Sequence, residues 1–530
     1  MHIHSQRSHS HATLPNPQTQ TQNNQQARHA PPPLRTFRQR RKQRMKLYKK
    51  EGNILQILCF PNETVEKGDY LLIEDEYARK ALIAQVIDMQ FANIPGILEE
   101  LLRTLPDGGE LIQGEDFDPL EIAPHITYIQ DVSILTCKIR ATLENGVLIP
   151  STAWLPSRSQ STIKRLSVPT LLKLAKVNGK LPITVGNTKD ASLLTIDASS
   201  LDGRLNIVTG KKETGKSHLS KLLMLSLVGY KATVVVFDLN GEYGSLGITS
   251  DGKRNAYYNK IHVLTPAQNF KVALKQIHLH ILLNILIHAL HLPGTSAREF
   301  RRIWHSLKER GCLTLHELGE AIRSWHCNHH VRDALFSRYY ALVNSGFFTD
   351  NIAEATLLEE CLFKAKKEGG AIIINLRNTS AIDRQIVVEY ILGKLVELLT
   401  SWKLKAVFLF AEEAHLYLRE TYWDDIVTRM RHFGIFTTFI TNQPDTIREN
   451  IYRQADNIFL FNFTNEHDLE VVSRAARVDA ETVKSIARDL PPHHCLALGK
   501  VVKDFPMVVK VRALDVKTMG ETRLFFTDTN

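Results

Sequence analysis

Residues 210–217 read GKKETGKS, a spacing of glycine, lysine and serine that suits the binding of a phosphate chain. An apolar run, Leu205–Thr209, precedes this loop, and a leucine-rich stretch with helical character, Lys216–Val228, follows it. In such a loop the backbone N–H groups and the positive end of the next helix converge on phosphate oxygens. Lys216 adds a compact positive charge, and the Ser217 hydroxyl is the expected ligand of a magnesium ion. The sequence therefore predicts a site for a nucleoside triphosphate with Mg²⁺.

A second group of chemically capable residues follows the apolar strand predicted at Ala406–Phe410. Here Glu412 and Glu413 are consecutive, which is the Walker B arrangement. The first acid orients the magnesium shell, and the second takes a proton from the water that attacks the γ phosphate. A solvated loop start is the structural alternative, but two adjacent carboxylates after a buried strand favour chemistry.

Three weaker signals continue the same order along the chain. The strand predicted at Thr233–Phe237 ends in DLNGEYG, which begins at Asp238, at a strand end where ligands sit in open α/β sheets. The strand predicted at Ile435–Thr441 is followed by Gln443, whose amide suits the γ phosphate or the attacking water. Arg431, in RMRHFG, is a candidate to stabilise the transferring phosphoryl group, since such arginines often come from a neighbouring subunit.

We thus expect Glu413, Lys216, Gln443 and Arg431 to be catalytic, and Ser217 and Glu412 to hold the metal. The residues expected to contact the nucleotide are Gly210, Lys211, Lys212, Glu213, Thr214, Gly215, Lys216, Ser217, His218 and Asp238.

Length and charge place this site in a multi-domain protein. A chain of 530 residues suggests about three units. The formal net charge of +10 falls to −1 without the eleven basic residues among the first 50. Residues 1–44 are polar and basic, so we expect a disordered tail that either binds nucleic acid electrostatically or precedes a true start at Met45.

The organisation of the rest follows from turn residues and periodicity. We predict a small antiparallel β-barrel over 45–165, with strands near 54–60, 70–73, 81–89, 132–143 and 147–150 and one helix at 97–105. A polar connector is expected at 157–164. Residues 166–515 are expected to form an α/β core of RecA-like P-loop type with a mainly parallel sheet and a helical insertion at about 267–368. Residues 516–530 would form a C-terminal tail.

Cysteine usage and hydropathy exclude several classes. The six cysteines are scattered without a CxxC pair, so neither a disulfide framework nor a structural zinc site is indicated. The cluster HCNHH, from His326 to His330, is better explained as a solvated helix than as a metal site. The longest apolar stretch, near 281–292, is short and interrupted by polar residues, which argues against a membrane span. No secretory signal is visible, and the cytoplasm is the expected compartment.

With these motifs in order, the chain resembles the HerA family of hexameric DNA translocases, relatives of FtsK and of conjugation ATPases. The family pattern of D-x-x-G-E-Y, D-E-A-H, R-K-Y-G and Q-x-P becomes Asp238 to Tyr243, Glu412 to His415, Arg431 to Gly434, and Gln443 with Pro444. The resemblance covers roughly residues 50–515. It implies ATP and Mg²⁺ as cofactors, a homohexamer acting on double-stranded DNA, and an N-terminal barrel that helps ring assembly and docks a NurA-like nuclease. Arg431 is the favoured finger in trans, with Arg453 in reserve.

Two departures from the family pattern bear on turnover. Glu213 stands where the family has glycine, which puts a carboxylate beside the phosphates and a Cβ where φ is expected to be positive. Lys211 and Lys212 are placed to offset that charge. Glu412 replaces the family's aspartate and is one methylene longer, which shifts the magnesium water shell.

These observations support two functions. The first is an ATP-hydrolysing DNA translocase or helicase that processes DNA ends with a partner nuclease. The second is a nucleotide-binding ring with weak ATPase activity that recruits an effector nuclease, for example in defence against foreign DNA. A small-molecule P-loop kinase is disfavoured because paired acids suit water activation and a barrel has no role in a kinase.

Overall fold

The computed structural model describes residues 45–61, 63–92, 131–150, 153–176, 179–417, 429–463, 465–476 and 478–517. The predicted basic tail at 1–44, the helix predicted at 97–105 and residues 518–530 of the predicted C-terminal tail lie outside these residues. Within them, no helix is long and apolar enough to cross a membrane.

An antiparallel sheet comes first along the chain. Its strands are β1 (Met45–Glu51), β2 (Ile54–Cys59), β3 (Tyr70–Asp75), β4 (Lys80–Phe91), β5 (Ser133–Glu144), β6 (Val147–Ile149) and β7 (Ser161–Leu166). They pair in the order β1-β2-β5-β4-β3-β7, with β6 on β5. Alternate side chains such as Leu55, Ile57, Leu82 and Cys137 form one buried cluster, as expected for strands with one buried face.

Two features of this N-terminal sheet differ from expectation. The pairs between described residues do not join β1 to β7, so the predicted closed barrel is not shown. The segment predicted as a polar connector, 157–164, overlaps β7, whose STIKRL sequence buries only Ser161, Ile163 and Leu166 and pairs with β3. The strand was not predicted because its exposed residues, Lys164 and Arg165, make the sequence resemble a polar loop.

A second, larger sheet carries the motif residues. Its strands are β8 (Pro182–Asn187), β9 (Leu193–Asp197), β10 (Asn206–Thr209), β11 (Thr233–Asp238), β12 (Ile261–Leu264), β15 (Gly370–Asn375), β16 (Val407–Ala411), β17 (Ile435–Thr441), β18 (Asn457–Leu460), β19 (His494–Gly499) and β20 (Met507–Val511). The remaining strands, β13 (Val272–Ala273) and β14 (Phe348–Thr349), form a separate parallel pair.

The order of the larger sheet is β12-β15-β11-β16-β17-β10-β18-β19-β20-β8-β9. The strands from β12 to β18 are parallel, while β19, β20, β8 and β9 are joined by antiparallel pairs. The prediction of a mainly parallel sheet was therefore wrong: the sheet is mixed. The β8–β9 hairpin and the closing β19–β20 pair extend it, and hairpin connections produce antiparallel neighbours.

Helices flank this sheet and pack against one another. They are α1 (Val168–Leu174), α2 (Lys216–Gly229), α3 (Leu279–Asn284), α4 (Gly294–Glu309), α5 (Leu315–Ser324), α6 (His329–Asn344), α7 (Leu358–Glu368), α8 (Ala381–Thr400), α9 (Glu449–Tyr452), α10 (Glu466–Ala475) and α11 (Ala480–Ala487). Helices α3 to α7 lie between β12 and β15 along the chain.

The central strands are buried on both faces. In β11, Val234 and Val236 join the hydrophobic cluster that contains α2, while Val235 and Phe237 join the cluster that contains α8. This two-sided burial explains why these strands are continuous apolar runs. The loop between β10 and α2 is therefore attached to a sheet that is packed on both faces.

The N-terminal sheet contacts the larger unit through buried polar groups. The Arg140 guanidinium donates to Asp479 Oδ2 at 2.8 Å and to Thr482 Oγ1 at 2.7 Å, both at the start of α11. The Tyr70 hydroxyl and the Gln85 amide both donate to the Pro506 carbonyl, at 2.8 Å and 2.9 Å. The two sheets are thus connected by oriented hydrogen bonds as well as by apolar packing.

Candidate nucleotide-binding site

The phosphate loop runs from the end of β10 to the start of α2. Gly210 has φ 156° and lies so close to Phe461 that a Cβ would be 2.5 Å from the Phe461 Cβ. Gly215 has φ 111° and is the N-cap of α2. Both glycines are therefore required by the backbone path and not only by the approach of a ligand.

Glu213 occupies the left-handed region, with φ 63°, and is exposed. This confirms the expectation of a positive φ at the position where the family pattern has glycine. A residue with a Cβ is strained in this conformation. The loop of this chain therefore carries both strain and an added negative charge.

Lys216 is the first residue of α2 and is 8% exposed. Burial lowers its pKa to about 8, although the charges of Glu413 and Glu412 raise it. Its Nζ donates a hydrogen bond to the Lys211 carbonyl at 2.8 Å. The ammonium group is thus held inside the loop, where phosphate oxygens would replace the carbonyl as its partner.

Neighbouring segments hold the loop from outside. The Lys211 N–H donates to the Asn462 carbonyl at 2.9 Å, and the His493 N–H donates to the Thr214 carbonyl at 3.0 Å. His218 Nε2 lies 2.8 Å from the Arg512 carbonyl oxygen, beyond the end of β20. These partners were not predicted, because nothing in their local sequence links them to residues more than 200 positions away.

The parallel register brings the motif residues to one edge of the sheet. Ala411 is paired with Phe237 on β11 and with Phe439 on β17. Thr209 is paired with Thr441 on β17. The residues that follow these strand ends, including Gly210 and Glu412, therefore lie at the same carboxyl edge.

Glu412 is fully enclosed behind this edge. It is 1% exposed, and its Oε1 accepts a hydrogen bond from the Tyr243 hydroxyl at 3.0 Å. Burial, followed by the charges of Glu242 and Asp238, raises the pKa of Glu412 to about 8. Its second oxygen, Oε2, is buried with no hydrogen-bond partner among the described residues. Such an atom is costly to bury and is suited to a cation.

Asp238 organises the turn that supplies the tyrosine. Its carboxylate accepts hydrogen bonds from the backbone N–H groups of Gly241, Glu242 and Tyr243, at 2.8, 2.9 and 2.9 Å. Glu242 in turn pairs with Lys221 of α2 at 2.7 Å. The observed role of Asp238 is to shape this turn, and its predicted contact with the nucleotide stays a prediction.

Glu413 faces the loop from a strained position. Its φ is 47° and its ψ is 46°, and burial raises its pKa while the charges of Lys216 and Lys212 lower it. Glu413 Oε2 is buried without a hydrogen bond and lies 3.4 Å from His415 Nδ1. A non-glycine residue in the left-handed region is characteristic of functional sites.

The end of β17 contributes two amides. Asn442 Oδ1 is buried and has no hydrogen-bond partner among the described residues, whereas Gln443 is exposed. The Gln443 N–H donates to Thr441 Oγ1 at 3.0 Å. Because β17 lies between β10 and β16, both amides border the phosphate loop and the acidic pair. Sequence reasoning singled out Gln443 and gave Asn442 no separate role.

The two arginines proposed as fingers differ in their surroundings. Arg431 precedes β17, at the amino edge of the parallel strands, and forms an ion pair with the buried Asp456. Arg453 is 70% exposed in its side chain and pairs with Glu449 on the same helix at 2.8 Å. Neither is brought to its own phosphate loop, so a catalytic role for either would require a neighbouring subunit.

The donor set fits a magnesium–nucleotide complex. Three oxygens, Glu412 Oε2, Glu413 Oε2 and Asn442 Oδ1, are buried without hydrogen bonds near a cradle of backbone N–H groups and the Lys216 ammonium. Carboxylate and hydroxyl oxygens are the ligands that magnesium prefers.

Comparisons with known proteins agree with this geometry. A family model described as "Helicase HerA, central domain" matches residues 183–395. The chain is 24% identical over 373 residues to "Probable helicase MJ1565" of Methanocaldococcus jannaschii, covering 66% of this chain and 70% of that protein. It is 18% identical over 324 residues to "DNA double-strand break repair helicase HerA" of Saccharolobus solfataricus, covering 58% and 64%.

Solved structures that match part of this chain include VirB4 of Thermoanaerobacter pseudethanolicus, with a TM-score of 0.44 and 16% identity over 64% of this chain and 98% of that one. Another is the bacterial conjugative coupling protein TrwB, with a TM-score of 0.48 and 13% identity over 66% and 92%. The resemblance predicted from the motifs is confirmed: residues 183–395 match the model of the HerA central domain, and both curated relatives are named as helicases.

Proposed function

We propose that this protein is a magnesium-dependent ATPase that moves double-stranded DNA, works as a homohexameric ring and acts in DNA end processing with a NurA-like nuclease. The observation that carries the proposal is the acidic pair, Glu412 and Glu413, held at the carboxyl edge beside the phosphate loop, each with a buried oxygen that accepts no hydrogen bond. A structural pair of acids would be expected to have partners for these atoms.

Each side chain has a role that follows from its position. Lys216 and the backbone of 210–217 would bind the phosphates, and Ser217 with Glu412 would hold the metal. Glu413 would accept the proton of the attacking water, and Gln443 would contact the γ phosphate. When bound, Mg²⁺ neutralises charge on the phosphate oxygens. Arg431 would act on the neighbouring subunit's nucleotide, with Arg453 as the alternative.

The raised pKa of Glu413 supports its role as a base. Burial makes the carboxylate a better proton acceptor than an exposed glutamate, while Lys216 and Lys212 favour its ionised form. His415 Nδ1 lies 3.4 Å from Glu413 Oε2, so the ring limits the orientations that the carboxylate can take. This combination of a desolvated acid and nearby cations suits proton abstraction near neutral pH.

The proposal for DNA rests on relatives and not on a basic core. The relative from Saccharolobus solfataricus is named as a DNA double-strand break repair helicase. Outside the first 50 residues the chain has a net charge of −1, so DNA contact requires a local surface.

A second candidate function is a nucleotide-binding ring scaffold with weak turnover that recruits an effector nuclease, as in defence against foreign DNA. Two observations favour it. Glu213 adds strain and negative charge to the phosphate loop. Glu412 has a pKa raised to about 8, so metal binding near neutral pH must displace a proton.

DNA-stimulated ATP turnover separates the two functions. A motor is expected to hydrolyse ATP several-fold faster with linear duplex DNA, and the mass of the assembly with ATP and DNA should be that of a hexamer. Equal turnover with and without DNA would favour the scaffold. A stable monomer under both conditions would remove the basis for a finger in trans.

A further inference from the structure

Helix α4 carries a stripe of positive charge that neither the fold nor the nucleotide site explains. Its buried face is apolar apart from Ser296 and packs into the core through Phe300, Ile303, Trp304 and Leu307. The opposite face exposes Arg298, Arg301, Arg302, His305 and Lys308 at helical spacing, with one exposed acid, Glu309, at its C-terminal end.

Most of this stripe lacks internal partners. Arg302 pairs with Glu299 at 2.8 Å, and Glu299 also accepts a hydrogen bond from Trp325. Among the described residues, no carboxylate pairs with Arg298, Arg301 or Lys308. The neighbouring helix α5 differs, since its Arg323 is paired with Glu320 at 2.7 Å. Of these two neighbouring helices, α4 is the one with arginines that are unpaired within the described part of the chain.

The stripe does not serve the stability of the helix. Like charges three and four residues apart repel each other on a helix surface. The helix dipole favours cations in the last turn of a helix. Lys308, in the last turn, is well placed for the dipole, but Arg298 and Arg301 are not. Binding to a negatively charged partner would explain why arginines occupy these two positions.

We infer that the exposed face of α4 binds the phosphate backbone of duplex DNA. This inference rests on the proposed function and names the surface that meets the DNA. From Arg298 to Lys308 the helix rises by about 15 Å, which spans about four phosphates of one strand. The exposed face bears no large apolar side chain to insert into a membrane, and its single ring, His305, does not make a platform for successive unpaired bases.

The test measures binding of the full chain to a fluorescein-labelled duplex over a range of KCl concentrations. The double variant Arg298→Gln, Arg301→Gln is expected to lose about tenfold or more in affinity, and the slope of log K against log salt should decrease by about 1.8, since two phosphate contacts are removed. Nucleotide affinity and melting temperature should not change. The matched control Arg323→Gln, which removes an arginine that is already paired, should stay within about twofold.

The conservative variant Arg298→Lys, Arg301→Lys should keep the wild-type salt slope, which a purely structural role for the guanidinium groups does not predict. An unchanged affinity and slope in the glutamine variant, with normal DNA binding by the wild type, overturns the inference and leaves the proposed function intact. A wild type that hydrolyses ATP but binds no DNA overturns both. Loss of binding to phosphatidylserine vesicles with DNA binding unchanged would assign the surface to lipid and also overturn the inference.

Discussion

The hydroxyl of Tyr243 donates a hydrogen bond to Oε1 of Glu412 at 3.0 Å, and both side chains are buried. The tyrosine comes from the turn that Asp238 shapes through three backbone hydrogen bonds. The turn after β11 therefore orients the first acid of the Walker B strand, β16. A tyrosine that looks like a core residue is thus a positioning residue for the proposed metal site.

Tyr243→Phe should make ATP turnover more sensitive to acid. The hydroxyl lowers the pKa of Glu412, which burial raises to about 8, so its loss raises that pKa further. Less carboxylate is then present near neutral pH, and the acid limb of the kcat/KM profile should move to higher pH. Tyr417→Phe is the control, because the Tyr417 hydroxyl donates to the backbone carbonyl of Glu412 at 2.7 Å and not to its carboxylate. Identical pH profiles for the two variants would contradict the positioning role.

Glu412→Gln should stabilise the nucleotide-free protein at alkaline pH. The folded-state pKa of Glu412, about 8, exceeds the unfolded value, so its contribution to stability is fully present below the unfolded pKa and is lost as pH rises through about 8. Glutamine does not titrate. The difference in unfolding free energy between variant and wild type should therefore shift in favour of the variant by about 2–4 kcal/mol as the pH rises from about 5 to about 9, measured by urea unfolding. A stability difference that does not change with pH would argue against a strongly raised pKa.

Glu213→Gly should tighten ATP binding several-fold. Glycine accepts the positive φ of 63° at this position, and the substitution removes a carboxylate beside the phosphates. Glu213→Gln separates the two effects, since it removes the charge but keeps the strained Cβ. Calorimetric titration with ATP should rank the affinities as glycine, glutamine, then wild type. If ATP binds the wild type as tightly as the glycine variant, Glu213 does not limit the loop and the scaffold function loses one of its two supports.

Arg140→Met should loosen the contact between the two sheets. Burial raises the pKa of Asp479, but hydrogen bonds from Arg140 and Thr482 outweigh this and hold it below its usual value. Removing the guanidinium leaves the partly buried carboxylate with Thr482 and the more distant Lys138, at 4.0 Å, as partners, at an expected loss of about 1–3 kcal/mol in unfolding free energy. Lys67→Met is the control: its pair with Asp489 is more exposed, so about 0.5 kcal/mol or less is expected. Equal losses of unfolding free energy in the two variants would contradict a stabilising role for the Arg140–Asp479 pair.

Periodicity and apolar runs predicted the strands that carry the site. The observed bounds of β10, β11, β16 and β17 lie within one residue of the predicted ones, because strands buried on both faces are continuous apolar runs. β12, with the short sequence IHVL, and the hairpin of β8 and β9 were missed, since their polar residues and exposed ends resemble loops. The antiparallel extension of the sheet could not be inferred without them.

The motif residues themselves were found from type and spacing, but their partners were not. The Lys221–Glu242 pair, the His493 contact to the phosphate loop and the tyrosine on Glu412 join segments that are distant in sequence. Only the sheet order brings these segments together. Of them, Glu242 and Tyr243 carried a signal, since both stand in the GEY motif.

ATP turnover of Glu413→Gln beside Lys216→Ala tests the central claim most directly. The account predicts that Glu413→Gln binds ATP with wild-type affinity and loses hydrolysis by about 100-fold or more, because only the proton acceptor is removed. Lys216→Ala should lose binding itself, because the buried ammonium is the cation inside the loop. Hydrolysis that survives in Glu413→Gln, with Lys216→Ala inactive, would contradict the assignment of Glu413 as the base.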